Sequence, residues 1–161
     1  MSSAAPFPAK GTVLWGVDVD LSRDVFRSGA AEKPNVDYLR FIDIESDKGE
    51  GRILPEDGDK FMVEPGQGIS LFLERMIPEG LVLMDVATWK NADKKKKKKI
   101  SWWCIEQDKP IPTGLSLVYD GVPPGHCVLT TTERRTVRSF LSLVAMITFI
   151  PKGTDFVGPA T

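Results

Sequence analysis

Apolar and polar residues alternate along much of this chain, which is the period of a β-strand with one buried face. Leu115, Leu117 and Tyr119 give a clear case, since all three fall on one face of a single strand. Residues 38–44 fit either a strand or a short helix. Strands are predicted at residues 11–19, 25–28, 60–64, 69–72, 81–86, 100–105, 115–120 and 126–131.

One stretch near the C-terminus has a helical period instead. Its apolar residues recur at helical spacing: Val137, Phe140, Leu141 and Val144. The helix is predicted from Arg134 to near Pro151, because proline ends helices. Thr130 stands three residues before Glu133 and fits a capping box at the start of this helix.

The order of these elements predicts an α+β fold built mainly from antiparallel strands. Helices do not alternate with strands, so a split, strongly twisted antiparallel arrangement fits better than a doubly wound parallel sheet. The length of 161 residues suits one domain. We predict a flexible tail at 1–12, one domain at 13–150 and a C-terminal tail at 151–161. Residues 45–59 carry three glycines and one proline among charges and predict an exposed loop.

The charge of the whole chain is nearly balanced, with a formal net charge of −1. This balance makes nucleic acid an unlikely partner. The exception is a run of six lysines at 94–99, which is predicted to form an exposed loop because like charges repel one another. A polyanion-binding patch and an engineered or low-complexity insert are the alternatives for this run.

Several classes of site and location have no sequence signal. No apolar stretch is long enough to span a bilayer, and residues 1–10 lack the features of a secretory signal, which predicts a soluble cytoplasmic protein. Cys104 and Cys127 lie apart without metal-ligand spacing, so we expect buried free thiols and no metal site. Dinucleotide-binding glycine fingerprints, phosphate-binding loops and common hydrolase motifs are absent from the sequence.

The stretch 110–132 contains two predicted strands around the only histidine of the chain, His126. Other short motifs precede it in a defined order. These are Phe26-Arg27, then Gly68-Ile69-Ser70-Leu71-Phe72, then Trp102 or Trp103, then Ile111-Pro112-Thr113-Gly114-Leu115, and finally Gly125-His126-Cys127-Val128-Leu129. In this order the chain resembles the ADP-ribosyltransferase-like toxins of the second type VI secretion exported effector family, which has bacterial and fungal members.

The resemblance implies two facing, mainly antiparallel sheets with a cleft for NAD as substrate, in a toxin that acts inside cells. Arg27 would grip a phosphate or ribose of NAD, and His126 would bond a ribose hydroxyl or the nicotinamide amide. Gly68, Ile69 and Ser70 would lie against the dinucleotide, with Ser70 bracing the ribose. Structural roles remain open for each: a surface ion pair for Arg27, a strand-edge hydroxyl for Ser70 and a hydrogen-bonded structural histidine.

A transferase of this kind also uses a carboxylate, for which Glu133 is the nominated residue. The chain departs from the family pattern at Cys127, where an aromatic ring that could stack on a ligand is expected. The implied activity is mono-ADP-ribosyl transfer or NAD glycohydrolysis, with an unidentified macromolecular target and an immunity protein as partners. The alternatives are a non-catalytic nucleotide-binding or protein-interaction module and a nucleic-acid-directed protein recruited by the lysine run.

Overall fold

The computed structural model describes residues 7–36, 38–43, 48–52 and 55–159. Twelve strands and two α-helices lie within these residues. The strands are β1 Val13–Trp15, β2 Val25–Gly29, β3 Tyr38–Asp43, β4 Lys48–Arg52, β5 Phe61–Val63, β6 Gly68–Phe72, β7 Leu81–Leu83, β8 Lys98–Ile105, β9 Leu115–Tyr119, β10 His126–Thr131, β11 Arg135–Thr136 and β12 Ile150–Pro159. The helices are α1 Val86–Lys90 and α2 Val137–Val144, and a 3₁₀ helix spans Pro55–Asp57.

The strands form two sheets in which every recorded pairing is antiparallel. The larger sheet has eight strands in the order β1-β9-β10-β6-β2-β8-β12-β7. The smaller has four strands in the order β11-β5-β3-β4. The predicted fold class, mostly antiparallel β with few helices, is confirmed at this level. The facing arrangement of the sheets stays a prediction.

The hydrophobic core lies on one face of the central strands of the large sheet. Leu129 on β10 pairs with Ile69 on β6 and with Leu117 on β9, and all three side chains are fully buried. Helix α2 adds Val137, Phe140 and Val144 to the same cluster. The alternation in β6 and β10 therefore sends odd-numbered residues into the core and leaves even-numbered residues on the opposite face.

The C-terminal region differs most from the prediction, because β12 spans Ile150–Pro159 and so includes most of the tail predicted at 151–161. This strand pairs with β8 and β7, with an irregular register between Pro151 and Thr154. Its sequence IPKGTDFVGP lacks clean alternation and contains two prolines and two glycines. Proline and glycine are tolerated in a strand at a bulge. Because these residues usually indicate a turn or loop, the sequence contains no clear indication of a strand here.

Helix α2 begins later and ends earlier than predicted. Its N-cap is Thr136, whose side chain accepts a hydrogen bond from the backbone N–H of Ser139. The predicted capping box of Thr130 and Glu133 is therefore wrong, since Thr130 belongs to β10. The helix ends at Val144, well before Pro151.

Three further elements are corrected by the structure. The described part of the predicted loop 45–59 contains β4 and the 3₁₀ helix, while residues 45–47, 53 and 54 lie outside the described residues. The lysine run is only partly a loop, because Lys98 and Lys99 belong to β8. The predicted buried strand at 81–86 is a three-residue edge strand whose Val82 and Leu83 are exposed.

The N-terminal end of the described chain is anchored rather than loose. The ring of Phe7 lies 6.0 Å from that of Tyr119, and the backbone N–H of Gly11 donates to the carbonyl of Tyr119 at 2.8 Å. Residues 1–6 of the predicted tail lie outside the described residues.

Replacement of Gly68 by alanine is expected to disrupt the β6–β10 ladder. Gly68 has φ +144°, and a Cβ there would lie 2.0 Å from the carbonyl oxygen of Leu129. We expect Gly68→Ala to lower the free energy of unfolding by more than about 3 kcal/mol, because backbone strain and a clash with a strand add together. The measurement is urea denaturation.

Gly66→Ala is the matched control. Gly66 also has a positive φ of +96°, but a Cβ there meets nothing within 4 Å. We therefore expect a cost of about 1 kcal/mol from backbone strain alone. Equal costs for the two variants would contradict the proposed close approach of β6 and β10.

Candidate functional site

Strands β2 and β6 separate after a single pair of residues. They pair at Phe26 and Phe72, and no further pair between them is recorded in the described part of the chain. The guanidinium of Arg27 spans the gap that follows: its Nε donates to the carbonyl of Asn35 at 2.6 Å, and its Nη1 donates to the carbonyl of Ser70 at 3.0 Å. A side chain thus replaces the backbone ladder at this point.

A cavity of about 360 Å³ opens where the strands separate. Its walls come from both sheets, with Arg27 on β2, Gly68 and Ser70 on β6, and Arg40 on β3. Ser28 borders this cavity and also two neighbouring ones of about 470 and 560 Å³. The three cavities adjoin one another at Ser28, and the cleft, as we call this group of cavities, has members in the size range typical of small-molecule sites.

Two cationic side chains line the central cavity. Arg27 and Arg40 contribute guanidinium groups, and no carboxylate is among the described residues that line it. The side chain of Arg27 is only 8% exposed, so its charge is little screened by solvent. Such a cavity suits an anionic ligand.

The Asn35 side chain supplies an unsatisfied acceptor in the wall of the cleft. Its Oδ1 is buried without a hydrogen-bond partner, while the residue lines two of the three cavities. Buried acceptors without partners are uncommon in folded proteins and require an explanation. Because this oxygen has no accessible surface, a ligand in the cavity would reach it only after the Asn35 side chain moved.

Ser70 is connected to His126 across two strands. His126 pairs with Phe72 and Val128 pairs with Ser70, so Ser70 and His126 are diagonal neighbours on the face opposite the core. The Oγ of Ser70 lies 2.7 Å from Nε2 of His126. The Nδ1 of the same imidazole contacts Oδ1 of Asp120.

The hairpin loop between β9 and β10 brings Asp120 to His126. The backbone N–H groups of Asp120 and Gly121 both donate to the carbonyl of His126, at 3.2 and 3.0 Å. The N–H of Gly125 donates to the hydroxyl of Tyr119 at 2.9 Å. These bonds hold both ends of the loop together, so the contact between the carboxylate and the imidazole is built into the backbone.

Phe72 completes the surroundings of the imidazole. Its ring meets that of His126 edge-on with centroids 5.3 Å apart, and it also lines the cleft. His126 itself is 5% exposed and does not line the cavity. The imidazole therefore reaches a ligand only through Ser70.

The structure brings Arg27, Gly68, Ser70 and His126 together but not the other two predicted site residues. Ile69 is fully buried and points into the core, because it alternates with Gly68 and Ser70 along β6. Its side chain is thus unavailable to a ligand. The predicted contact of the Ile69 side chain with NAD is not supported by this geometry.

Glu133 lies beyond the C-terminal end of β10, whereas His126 is the first residue of that strand. The six-residue strand separates the two by on the order of 20 Å. The Glu133 carboxylate is 77% exposed and pairs with Arg135 at 3.4 Å. The structure does not bring Glu133 to the cleft. His126 begins β10, whereas Glu133 follows the C-terminal end of that strand by two residues.

The position of Cys127 shows why an aromatic ring there would not contact a ligand in this fold. Its side chain is fully buried in the core, on the opposite face of β10 from His126. An aromatic ring at this position would point into the core and would not stack on a ligand. Both cysteines are free and buried, as predicted.

Three polar residues of this region were missed by the sequence analysis: Asp120, Asn35 and Arg40. Asp120 had a usable signal, because it precedes a glycine- and proline-rich turn whose other end is His126. Asn35 and Arg40 had none, since their place in the cleft depends on how the small sheet meets the large one.

Fold and site together define an antiparallel β protein with arginines at a cleft and a serine–histidine–aspartate chain whose histidine is buried. A family model described as Tse2 ADP-ribosyltransferase toxin matches residues 17–148, so the chain belongs to that family of NAD-using type VI effector toxins. No curated protein and no solved structure matches the chain.

Two further features of the described residues bear on the site and its surroundings. Neither α-helix has the length and apolar character required to cross a bilayer. No group of three or more histidine, cysteine, aspartate or glutamate side chains within the described residues converges in a way that could hold a metal ion.

Loss of the Arg27 bridge is expected to destabilise the protein. Arg27→Ala leaves the carbonyls of Asn35 and Ser70 without this donor, so we expect the free energy of unfolding to fall by about 2–4 kcal/mol. Arg134→Ala is the control, because Arg134 is 53% exposed and its ion pair with Glu64 is at the surface. Its cost is expected within about 0.5 kcal/mol. Similar costs in denaturant titrations would contradict the bridging role.

Stability is also expected to fall at alkaline pH through Cys127. Burial raises the pKa of this thiol from 9.0 to about 12, with the charge of Asp120 adding to the effect and Arg23 opposing it. Between these pH values the unfolded chain has lost a proton that the folded chain keeps. The free energy of unfolding should therefore decrease by about 1.4 kcal/mol per pH unit between pH 9 and pH 12.

The measurement is urea denaturation of the wild type and of Cys127→Ala across this range. The variant lacks the titrating thiol, so the difference in stability between the two proteins should shrink steadily above pH 9. A constant difference would show that Cys127 keeps an ordinary pKa.

Proposed function

We propose that this protein is a mono-ADP-ribosyltransferase that cleaves the nicotinamide–ribose bond of NAD and transfers ADP-ribose to a macromolecule in the cytoplasm of a target cell. The observation that supports this most is the grouping of Arg27, Ser70 and His126 where β2 leaves β6. Membership in the ADP-ribosyltransferase toxin family supplies the reaction class.

The positive cavity would hold the diphosphate of NAD. A guanidinium offers a charged, forked donor that pairs with phosphate oxygens. Arg27 sits at the base of the cavity, and Arg40 on β3 approaches from the other sheet. In this arrangement the dinucleotide would bind between the two predicted facing sheets.

Ser70 would contact the ribose next to the bond that breaks. As the bond between the ribose carbon and the nicotinamide nitrogen cleaves, its electron pair leaves with nicotinamide and positive charge develops on the ribose. Preorganised polar groups aimed at this charge lower the barrier most effectively. Gly68 also lines the cavity, and its missing side chain is required by the close approach of β6 to the Leu129 carbonyl of β10.

His126 would act by holding Ser70 rather than by bonding NAD. Both of its ring nitrogens already have partners, Ser70 at Nε2 and Asp120 at Nδ1. The imidazole is also almost fully buried. Removal of the His126 imidazole would thus free the Ser70 hydroxyl to rotate and would change the polarity of the site.

Toxins of this family are paired with immunity proteins in general. An immunity partner for this chain would be expected to cover or distort the cleft. The macromolecular target would have to approach the open side of the cleft near Ser28, where the three cavities meet.

The activity test is incubation with NAD alone and then with cell extract, followed by measurement of released nicotinamide and of labelled ADP-ribose on protein or nucleic acid. We expect transfer by the wild type, and losses of about 100-fold or more for Arg27→Ala and Ser70→Ala, because each removes a group from the ligand cavity. Thr12→Ala, in the N-terminal segment outside the cleft, should behave as the wild type.

The outcomes separate the possible activities. Nicotinamide release without labelled macromolecules indicates a glycohydrolase, the second activity of this class. NAD binding without release by any variant favours a non-catalytic nucleotide-binding module. Absence of both binding and release by folded wild-type protein would reject the proposal.

A further inference from the structure

The chain from Asp120 through His126 to Ser70 is ordered like a proton relay. Its two contacts join three side chains in series, with the carboxylate at one end and a hydroxyl in the cavity wall at the other. His126 is 5% exposed, so solvent does not compete for its ring nitrogens. The Asp120 side chain is 37% exposed, which leaves its carboxylate hydrated on its outer side.

The carboxylate determines where the histidine carries its proton. A carboxylate only accepts hydrogen bonds, so the Nδ1 facing Asp120 carries a proton. In the neutral form of the imidazole, which a general base requires, Nε2 is then the acceptor and the hydroxyl of Ser70 donates to it. A serine oxygen that donates this bond keeps its lone pairs as acceptors.

Other carboxylates of the described chain do not replace Asp120 in this chain of contacts. Glu133 is at the opposite end of β10 and pairs with Arg135. Glu79 borders the neighbouring cavity of about 560 Å³ but has no recorded contact with Ser70 or His126. Asp120 is the carboxylate in contact with the imidazole.

We propose that Ser70, His126 and Asp120 form a proton relay that deprotonates the nucleophile attacking the ribose, with Asp120 as the positioning residue. The inference rests on the proposed ADP-ribosyl transfer. The carboxylate that the sequence pattern did not identify thus lies behind the histidine, on the side away from the cavity. Ser70 is the member of the relay that touches the reacting atoms.

The proton and electron balance of the step is complete. The bond between the ribose carbon and nicotinamide breaks, and nicotinamide leaves with the electron pair. The acceptor, a hydroxyl or amine of the target or a water molecule, forms a bond to the same carbon and gives its proton to the Ser70 oxygen. The Ser70 hydroxyl proton passes to Nε2 of His126, and Asp120 stabilises the resulting imidazolium.

Asp120→Asn tests the relay because it keeps the size of the side chain and removes the negative charge. We expect kcat for NAD consumption to fall by about 100-fold, the scale of general-base catalysis, while the Kd for NAD changes less than twofold. Asp120 does not line the cavity, which is why binding should be retained. Asp59→Asn is the matched control, since Asp59 is 68% exposed and pairs with Arg138 at the surface.

A spectroscopic measurement follows the relay independently of turnover. His126 is the only histidine in the chain, so long-range ¹H–¹⁵N correlation of its ring nitrogens is unambiguous. In the wild type and in Asp59→Asn we expect a protonated Nδ1 and an unprotonated Nε2. In Asp120→Asn we expect this fixed tautomer to be lost, with thermal unfolding showing that the variant is folded.

The results distinguish failure of the relay from failure of the proposed function. An active wild type with an equally active Asp120→Asn would overturn the relay and leave ADP-ribosyl transfer standing. A wild-type histidine protonated at Nε2 would also overturn it, because Ser70 could not then donate its proton. A folded wild type that does not consume NAD would instead refute the proposed function, and the relay with it.

Discussion

The separation of β2 from β6, bridged by Arg27, is the constraint on which the candidate site depends. Two neighbouring strands of one sheet pair at Phe26 and Phe72 and then part. Backbone groups at such a split lose their ladder partners, and leaving them unpaired in a buried place costs free energy. The Arg27 guanidinium supplies a donor to the Ser70 carbonyl of β6 and a second donor to the carbonyl of Asn35, which lies in the segment between β2 and β3. The same charge then faces the cavity created by the split.

A single side chain therefore connects stability with ligand binding in this protein. A charge that is only 8% exposed is costly unless it is hydrogen-bonded. Here the hydrogen bonds go to main-chain carbonyls, and that of Ser70 belongs to β6 and cannot move away without disrupting the sheet. The position of the guanidinium is thus as rigid as the strands themselves, which is the property required of a group that orients a dinucleotide.

The second fixed element is the hairpin from β9 to β10, which joins Asp120 to His126 through backbone hydrogen bonds. The strand pairing of β10 with β6 then sets the distance from His126 to Ser70. Arg27 and the Ser70–His126–Asp120 chain meet at Ser70, one through its carbonyl and the other through its hydroxyl. Ser70 is consequently held from both sides, and a ligand in the cavity meets a serine with little freedom.

Local alternation was sufficient to predict most of the central strands and the assignment of their faces. The Leu115, Leu117 and Tyr119 face is buried as expected, because apolar residues at every second position have one energetically favourable placement. The alternating pattern did not predict a strand whose residues do not alternate between apolar and polar. Strand β12 contains prolines, glycines and charges, and it is stabilised by its pairing with β8 across a bulge.

The site residues likewise divide into those that the sequence indicated and those that only the structure revealed. Motif order in the sequence selected Arg27, Gly68, Ser70 and His126, which the fold brings together around one cavity or directly behind it. It also selected Glu133 and Ile69, because proximity in sequence does not reveal which end or face of a strand a residue occupies. Asp120 and Arg40 were reached only through the structure. Residue types and their alternation determined which strands form and which faces are apolar. Only tertiary pairing decided that β2 separates from β6, because such a split depends on contacts between residues far apart in the chain.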